Sequence, residues 1–83
     1  MSCQVTISNG RLVVVDPVRL LIGRHHSQMA VWGFRYDPNG NSYTGRADEI
    51  YSLLQKITKY LSRYQIPLEL SKDVELAQLE LQQ

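Results

Sequence analysis

Cysteine is nearly absent from this 83-residue chain: Cys3 stands alone, so no internal disulfide can form and a reducing compartment is the expectation. Long apolar runs are absent too. No stretch approaches the roughly 18 residues of a membrane span. The opening Met1-Ser2-Cys3-Gln4 has neither the basic start nor the apolar segment of a secretory signal, which makes the cytoplasm the expected location, with no membrane partner. A large charge excess is also lacking, the formal net charge being +1. What is present is ordinary for a folded chain: 43% hydrophobic and 20% charged residues, too apolar for disorder. The length suits one modest core, so residues 1–83 are read as a single small domain, with 70–83 as a helix that can lead toward another domain.

Catalytic motifs are missing as well. A phosphate loop needs glycine followed by lysine and a hydroxyl residue, and none of Gly10, Gly23, Gly33, Gly40 or Gly45 precedes a lysine. The G-x-S-x-G elbow and the H-E-x-x-H helix are not found either. The chain is therefore expected to be non-catalytic and to need no cofactor.

Several segments carry clear structural signals. Residues 4–8 and 11–15 are rich in β-formers and flank Asn9-Gly10, a pair suited to the two positive φ angles of a type I′ turn. Ser8 then faces Arg11, Ile7 faces Leu12 and Val5 faces Val14, which puts the apolar pairs on one face. Asp16-Pro17 breaks the second strand. Residues 18–22 read as a short helix or a third apolar strand, the helix being favoured, and Gly23 ends them. Residues 29–36 read as a strand with Trp32, Phe34 and Tyr36 on one face. Asp37-Pro38-Asn39-Gly40-Asn41 is a turn, from which residues 42–46 return as a pairing strand.

From residue 47 to 64 the period becomes helical. Ile50, Leu53, Leu54, Ile57, Leu61 and Tyr64 form one stripe, with Asp48 and Glu49 near the positive end of the helix dipole. Pro67 closes that helix, residues 68–70 read as an edge strand, and Ser71 can cap a last helix running from Lys72 toward Gln83. The fold expected is α+β: a small, mostly antiparallel sheet of two hairpins, packed by one long amphipathic helix and followed by a short C-terminal helix.

Charge is unevenly spread. Residues 1–46 hold five Arg and two Asp, whereas residues 69–83 hold one Lys and four acids, which permits an anionic partner without requiring one. Side chains at 32, 34 and 36 can form a base-stacking platform with Arg35 and Arg46 nearby for phosphates. The competing reading packs Trp32 and Phe34 against the long helix and leaves Tyr36 and Tyr43 as the better contact residues. Lys56, Lys59 and Arg63 fall within roughly 60° of one another at about 100° per residue, an arc that suits phosphates or plain solvent equally.

Metal readings fit poorly. Asp37, Asn39, Asn41 and Asp48 occupy ligand positions of a calcium loop, yet Ser42 replaces its turn glycine and a turn explains the same residues. His25-His26 lacks the second spaced pair of a zinc site, adjacent histidines point in different directions, and a solvated loop is expected. Cys3 shows no activating base.

The pattern resembles the N-terminal DNA-damage-recognition domain of archaeal and bacterial relatives of the XPB repair helicase, a branch of superfamily 2. Ser8-Asn9-Gly10-Arg11-Leu12-Val13-Val14 looks like that family's opening hairpin, and Phe34-Arg35-Tyr36-Asp37 followed by Tyr43 looks like its aromatic-Asp turn. Tyr51-Ser52-Leu53-Leu54 through Tyr60-Leu61 looks like its Tyr-led helix, and residues 66–70 like the strand leading toward the helicase lobes. The chain departs from the pattern between Asp16 and Gly33 and at Thr44-Gly45-Arg46. The resemblance implies sequence-nonspecific binding of duplex, forked or damaged DNA and, as a further partner, two downstream motor lobes that hydrolyse ATP. The DNA-contact candidates are Arg35, Tyr36, Tyr43 and Arg46 at one rim, with Lys56, Lys59 and Arg63 along the helix. The alternative is a protein-interaction or dimerisation module that docks through the hairpin edge or through Leu76, Leu79 and Leu81 of the last helix.

Overall fold

The computed structural model describes the backbone of residues 2–81 and the side chains of residues 2–80. Strands β1 (Cys3–Ser8) and β2 (Arg11–Val15) form the expected hairpin, with Asn9 and Gly10 at φ 53° and 74°. Its register pairs Ser8 with Arg11, Ile7 with Leu12 and Val5 with Val14. Helix α1 (His26–Val31), strands β3 (Arg35–Asp37) and β4 (Ser42–Thr44), helix α2 (Ile50–Arg63), strand β5 (Leu68–Leu70) and helix α3 (Lys72–Leu81) follow.

The five strands form one sheet in the order β3-β4-β2-β1-β5. Three pairings are antiparallel; β5 joins β1 in parallel at the edge, tied by the Cys3 N–H to the Pro67 carbonyl (3.0 Å) and the Ser71 N–H to the Val5 carbonyl (2.9 Å). One face of the sheet carries Cys3, Val5, Leu12, Val14 and Tyr43. Against it α2 lays Leu53, Leu54, Ile57 and Leu61, and α3 lays Val74 and Ala77, so a single apolar cluster lies between sheet and helices. The other face, with Thr6, Val13, Thr44 and Arg35 in one cross-strand row, is half-buried to exposed. Ser71 caps α3: its Oγ accepts from the Val74 N–H at 3.4 Å. Among the described residues no helix is long and apolar enough to cross a membrane.

Two stretches differ from the sequence reading. Residues 18–22 form neither helix nor strand. Asp16, itself buried, turns its carboxylate back onto the chain, Oδ1 accepting from the Leu20 N–H (2.7 Å) and Oδ2 from the Leu21 N–H (2.8 Å). Arg19 at φ 58° completes the bend. Only Leu21 of that apolar run enters the core, because the carboxylate holds the backbone in a tight loop.

Residues 29–36 are not one strand. They hold the end of α1 and the start of β3, separated by Gly33 at φ 92°. The Phe34 N–H reaches the Met29 carbonyl (3.1 Å) and the Gly33 N–H the Ala30 carbonyl (3.0 Å), the paired bonds of a Schellman stop, with Met29 and Phe34 both in the core. A short apolar run satisfies either period, and here the glycine ends a helix rather than interrupting a strand.

Candidate nucleic-acid interface

Three arginines converge at one end of the sheet. Arg11 opens β2, Arg35 opens β3 and Arg46 follows β4. Because β2, β4 and β3 are adjacent and antiparallel, the start of β2 and of β3 lie beside the end of β4. The Gly45 N–H donates to the Leu12 carbonyl at 2.8 Å, extending the ladder, and Arg11 Nη1 donates to the Gly45 carbonyl at 3.2 Å. Arg46 lies across Gly33, where a Cβ would sit 2.6 Å from its Nε. The result is an open cleft of about 730 Å³ lined by the three arginines together with Gly33, Thr44 and other small or apolar residues, and by no carboxylate among the described residues. Such a concentration of planar cations suits phosphate oxygens.

Arg35 and Arg46 were expected at one rim and do share it. Arg11 is an addition, since the sequence reading names no contact residue in the hairpin; its place directly after the Asn9-Gly10 turn was the available signal. The tyrosines need correction. Tyr43 is 1% exposed and cannot stack a base from outside. It points to the helix side of the sheet, where its hydroxyl meets His26 Nδ1 at 3.0 Å. Burial, then the charge of Asp16, then Tyr36 and Cys3, push its phenol up to about 12. Tyr36 pairs with Tyr43 on that same inner side and is half-buried, its hydroxyl donating to Asn41 Oδ1 at 3.2 Å. Neither tyrosine lines the arginine cleft. Trp32, Phe34 and Tyr36 therefore do not make an outward platform on a strand: Phe34 is core, and Trp32 packs edge-on against Tyr60 of α2 at 5.2 Å.

Lys56, Lys59 and Arg63 are exposed along α2, away from its buried stripe, and none of them lines the cleft. The histidines do point apart, but not into a solvated loop. His25 is 4% exposed, its Nδ1 sharing a 2.9 Å hydrogen bond with the Tyr60 hydroxyl, while His26 is half-buried against Tyr36 and Tyr43. Burial first, and the positive charge of Arg24 second, lower the His25 pKa from its ordinary value. Here tertiary packing brings a tyrosine 35 residues away to an imidazole that looks solvated in sequence.

Elsewhere the polar side chains are spent on structure. Cys3 is fully buried, and burial, then the charge and hydrogen bond of Asp16 3.7 Å away, push its thiol up to about 12, far from a nucleophile's range. Asp37 accepts from the Asn39 N–H at 3.0 Å, folding its own turn. Leu76 and Leu79 are each 57% exposed on α3, and the Leu81 side chain lies outside the described residues. No family model, curated protein or solved structure matches the chain.

Proposed function

We propose that this chain is a non-catalytic DNA-binding accessory domain of a superfamily 2 helicase, holding the sugar-phosphate backbone of duplex or forked DNA in the cleft of Arg11, Arg35 and Arg46. The observation that carries the reading is the convergence of those three cations, from three neighbouring strand ends, around a cleft with no acidic lining among the described residues. The likeness of the hairpin, the Asp37 turn and the Tyr51 helix to the XPB-type domain supports placing the cleft beside a motor whose two lobes perform ATP hydrolysis. Phosphate contacts of this kind carry no base readout, so binding is sequence-nonspecific. Lys56, Lys59 and Arg63 offer further phosphate contacts along α2.

The test is fluorescence anisotropy with labelled duplex and forked DNA across a salt series. Binding at about 50 mM salt is expected, with log affinity falling against log salt at a slope of about −2.7 if three phosphates are neutralised. Arg35→Glu combined with Arg46→Glu abolishes it. No affinity at that salt, no salt dependence, or an unaffected double variant overturns the reading.

Leu76 and Leu79 favour a second reading, a protein-docking or dimerisation module, because adjacent exposed leucines on one helix commonly meet a partner. Sedimentation over a concentration series separates the two: a tight dimer that Leu76→Asp dissociates, together with absence of DNA binding, supports the second.

A further inference from the structure

Beyond the cleft, four aromatic rings interlock where α1 and the loop before it meet α2. His25 and Tyr60 are 5.4 Å apart edge to face, His25 and Tyr64 are 4.7 Å apart, Trp32 and Tyr60 are 5.2 Å apart edge to face, and Tyr60 and Tyr64 are 4.8 Å apart. The cluster is graded in depth. His25 is buried beneath it, Trp32 and Tyr60 are half-buried, and Tyr64 remains 39% exposed at its outer edge. His25 Nδ1, 2.9 Å from the Tyr60 hydroxyl, holds that ring from below.

Cations border the rings. The Arg24 guanidinium stands 5.3 Å from the centroid of Tyr64. On α2, Lys56 precedes Tyr60 by one turn and Arg63 lies on the outward side of Tyr60 at helical spacing, while Tyr64 caps the helix four residues after Tyr60. A ring cluster serving only the core would be buried throughout, whereas this one leaves Tyr64 39% exposed with the Arg24 guanidinium at its ring, and Lys56 and Arg63 are exposed on the same helix. Aromatic faces flanked by cations are how proteins take unpaired bases, the rings stacking the base and the cations meeting its phosphates.

We infer that the Trp32–Tyr60–Tyr64 surface is a stacking platform for an unpaired nucleobase, with Arg24, Lys56 and Arg63 meeting the flanking phosphates. The inference rests on the reading of the arginine cleft as a DNA site, and it specifies the partner: DNA with a single-stranded segment beside the duplex. Trp32 and Gly33 are consecutive, Trp32 belonging to the platform and Gly33 to the cleft wall. The two surfaces are therefore joined through the connection between α1 and β3.

Trp32 is the only tryptophan of the chain, so all tryptophan emission originates at this cluster. The experiment titrates the protein with an oligothymidylate of about ten nucleotides and with an abasic oligomer of equal length and charge. Trp32 emission is expected to quench with the first and not with the second. Tyr64→Ala should weaken oligothymidylate binding about tenfold and leave duplex binding unchanged, while Tyr64→Phe, which keeps the ring, retains both. An unresponsive Trp32, equal quenching by the abasic oligomer, or undiminished single-strand affinity in Tyr64→Ala overturns the platform. Loss of the cleft reading looks different: Arg35→Glu with Arg46→Glu would then leave duplex affinity intact whatever Trp32 does.

Discussion

The imidazole Nδ1 of His25 lies 2.9 Å from the hydroxyl of Tyr60, joining the loop before α1 to the outer flank of α2. The pair sits among Tyr64, Trp32 and Arg24, with no carboxylate among these contacts, so a proton on His25 gains no opposite charge.

Acidification should therefore loosen the fold through His25. Its folded pKa lies below the ordinary value of 6.5, so between the two values the unfolded chain holds a proton that the folded chain lacks. This contribution to stability is complete above pH 6.5 and is lost as pH falls toward the folded value. Urea midpoints at about pH 7.5 and 5.5 should differ in the parent and differ less in His25→Asn. An equal pH slope in both proteins would remove His25 as the cause.

Asp16 holds two backbone N–H groups, of Leu20 and Leu21, that have no other described acceptor. Asp16→Ala should cost about 3 kcal/mol and Asp16→Asn, which keeps one acceptor oxygen, roughly half of that. Equilibrium denaturation measures both. A loss below about 1 kcal/mol in the alanine variant would mean that water replaces the carboxylate without penalty.

The Cys3 thiol should be inert in the folded protein. With full burial and its pKa pushed up to about 12, it carries almost no thiolate at pH 8 and no route for a reagent. A disulfide-exchange reagent should react with the urea-unfolded chain and not measurably with the native one. Equal rates in the two states would contradict this burial.

Gly33→Ala should act on both stability and the cleft. A Cβ there would meet Arg46 Nε at 2.6 Å, and the φ of 92° strains any L side chain. The expected destabilisation is at least about 1 kcal/mol, and the salt slope of DNA binding should become shallower by about 0.9 as one phosphate contact is lost. An unchanged slope would take Arg46 out of the binding surface.

Much of the framework is legible in the chain itself. Asn9-Gly10 sets the hairpin register because a two-residue turn leaves only one pairing that keeps Val5, Leu12 and Val14 on one face. The stripe of Leu53, Leu54, Ile57 and Leu61 marks α2, and Ser71 marks the start of α3. Residues 29–36 read wrongly because a short apolar run fits either period, and Gly33 suits a helix stop as well as a strand. The candidate site was half legible: Arg35 and Arg46 can be singled out by their neighbours, while Arg11 and the outward rings of Tyr60 and Tyr64 cannot.

Sequence alone determined what neighbours within a few residues decide: the Asn9-Gly10 turn, the face of each hairpin strand, the period of α2 and the cap of α3. These follow from local backbone preference and side-chain alternation, which act before any long-range contact forms. Tertiary structure alone decided that β5 joins β1 in parallel, that Tyr43 turns inward to His26, that His25 lies under Tyr60, and that Arg11, Arg35 and Arg46 share one cleft. Each of those depends on strand order and helix placement between residues 11 to 65 positions apart, and such contacts are chosen by the burial of the whole apolar cluster rather than by any segment's own preference.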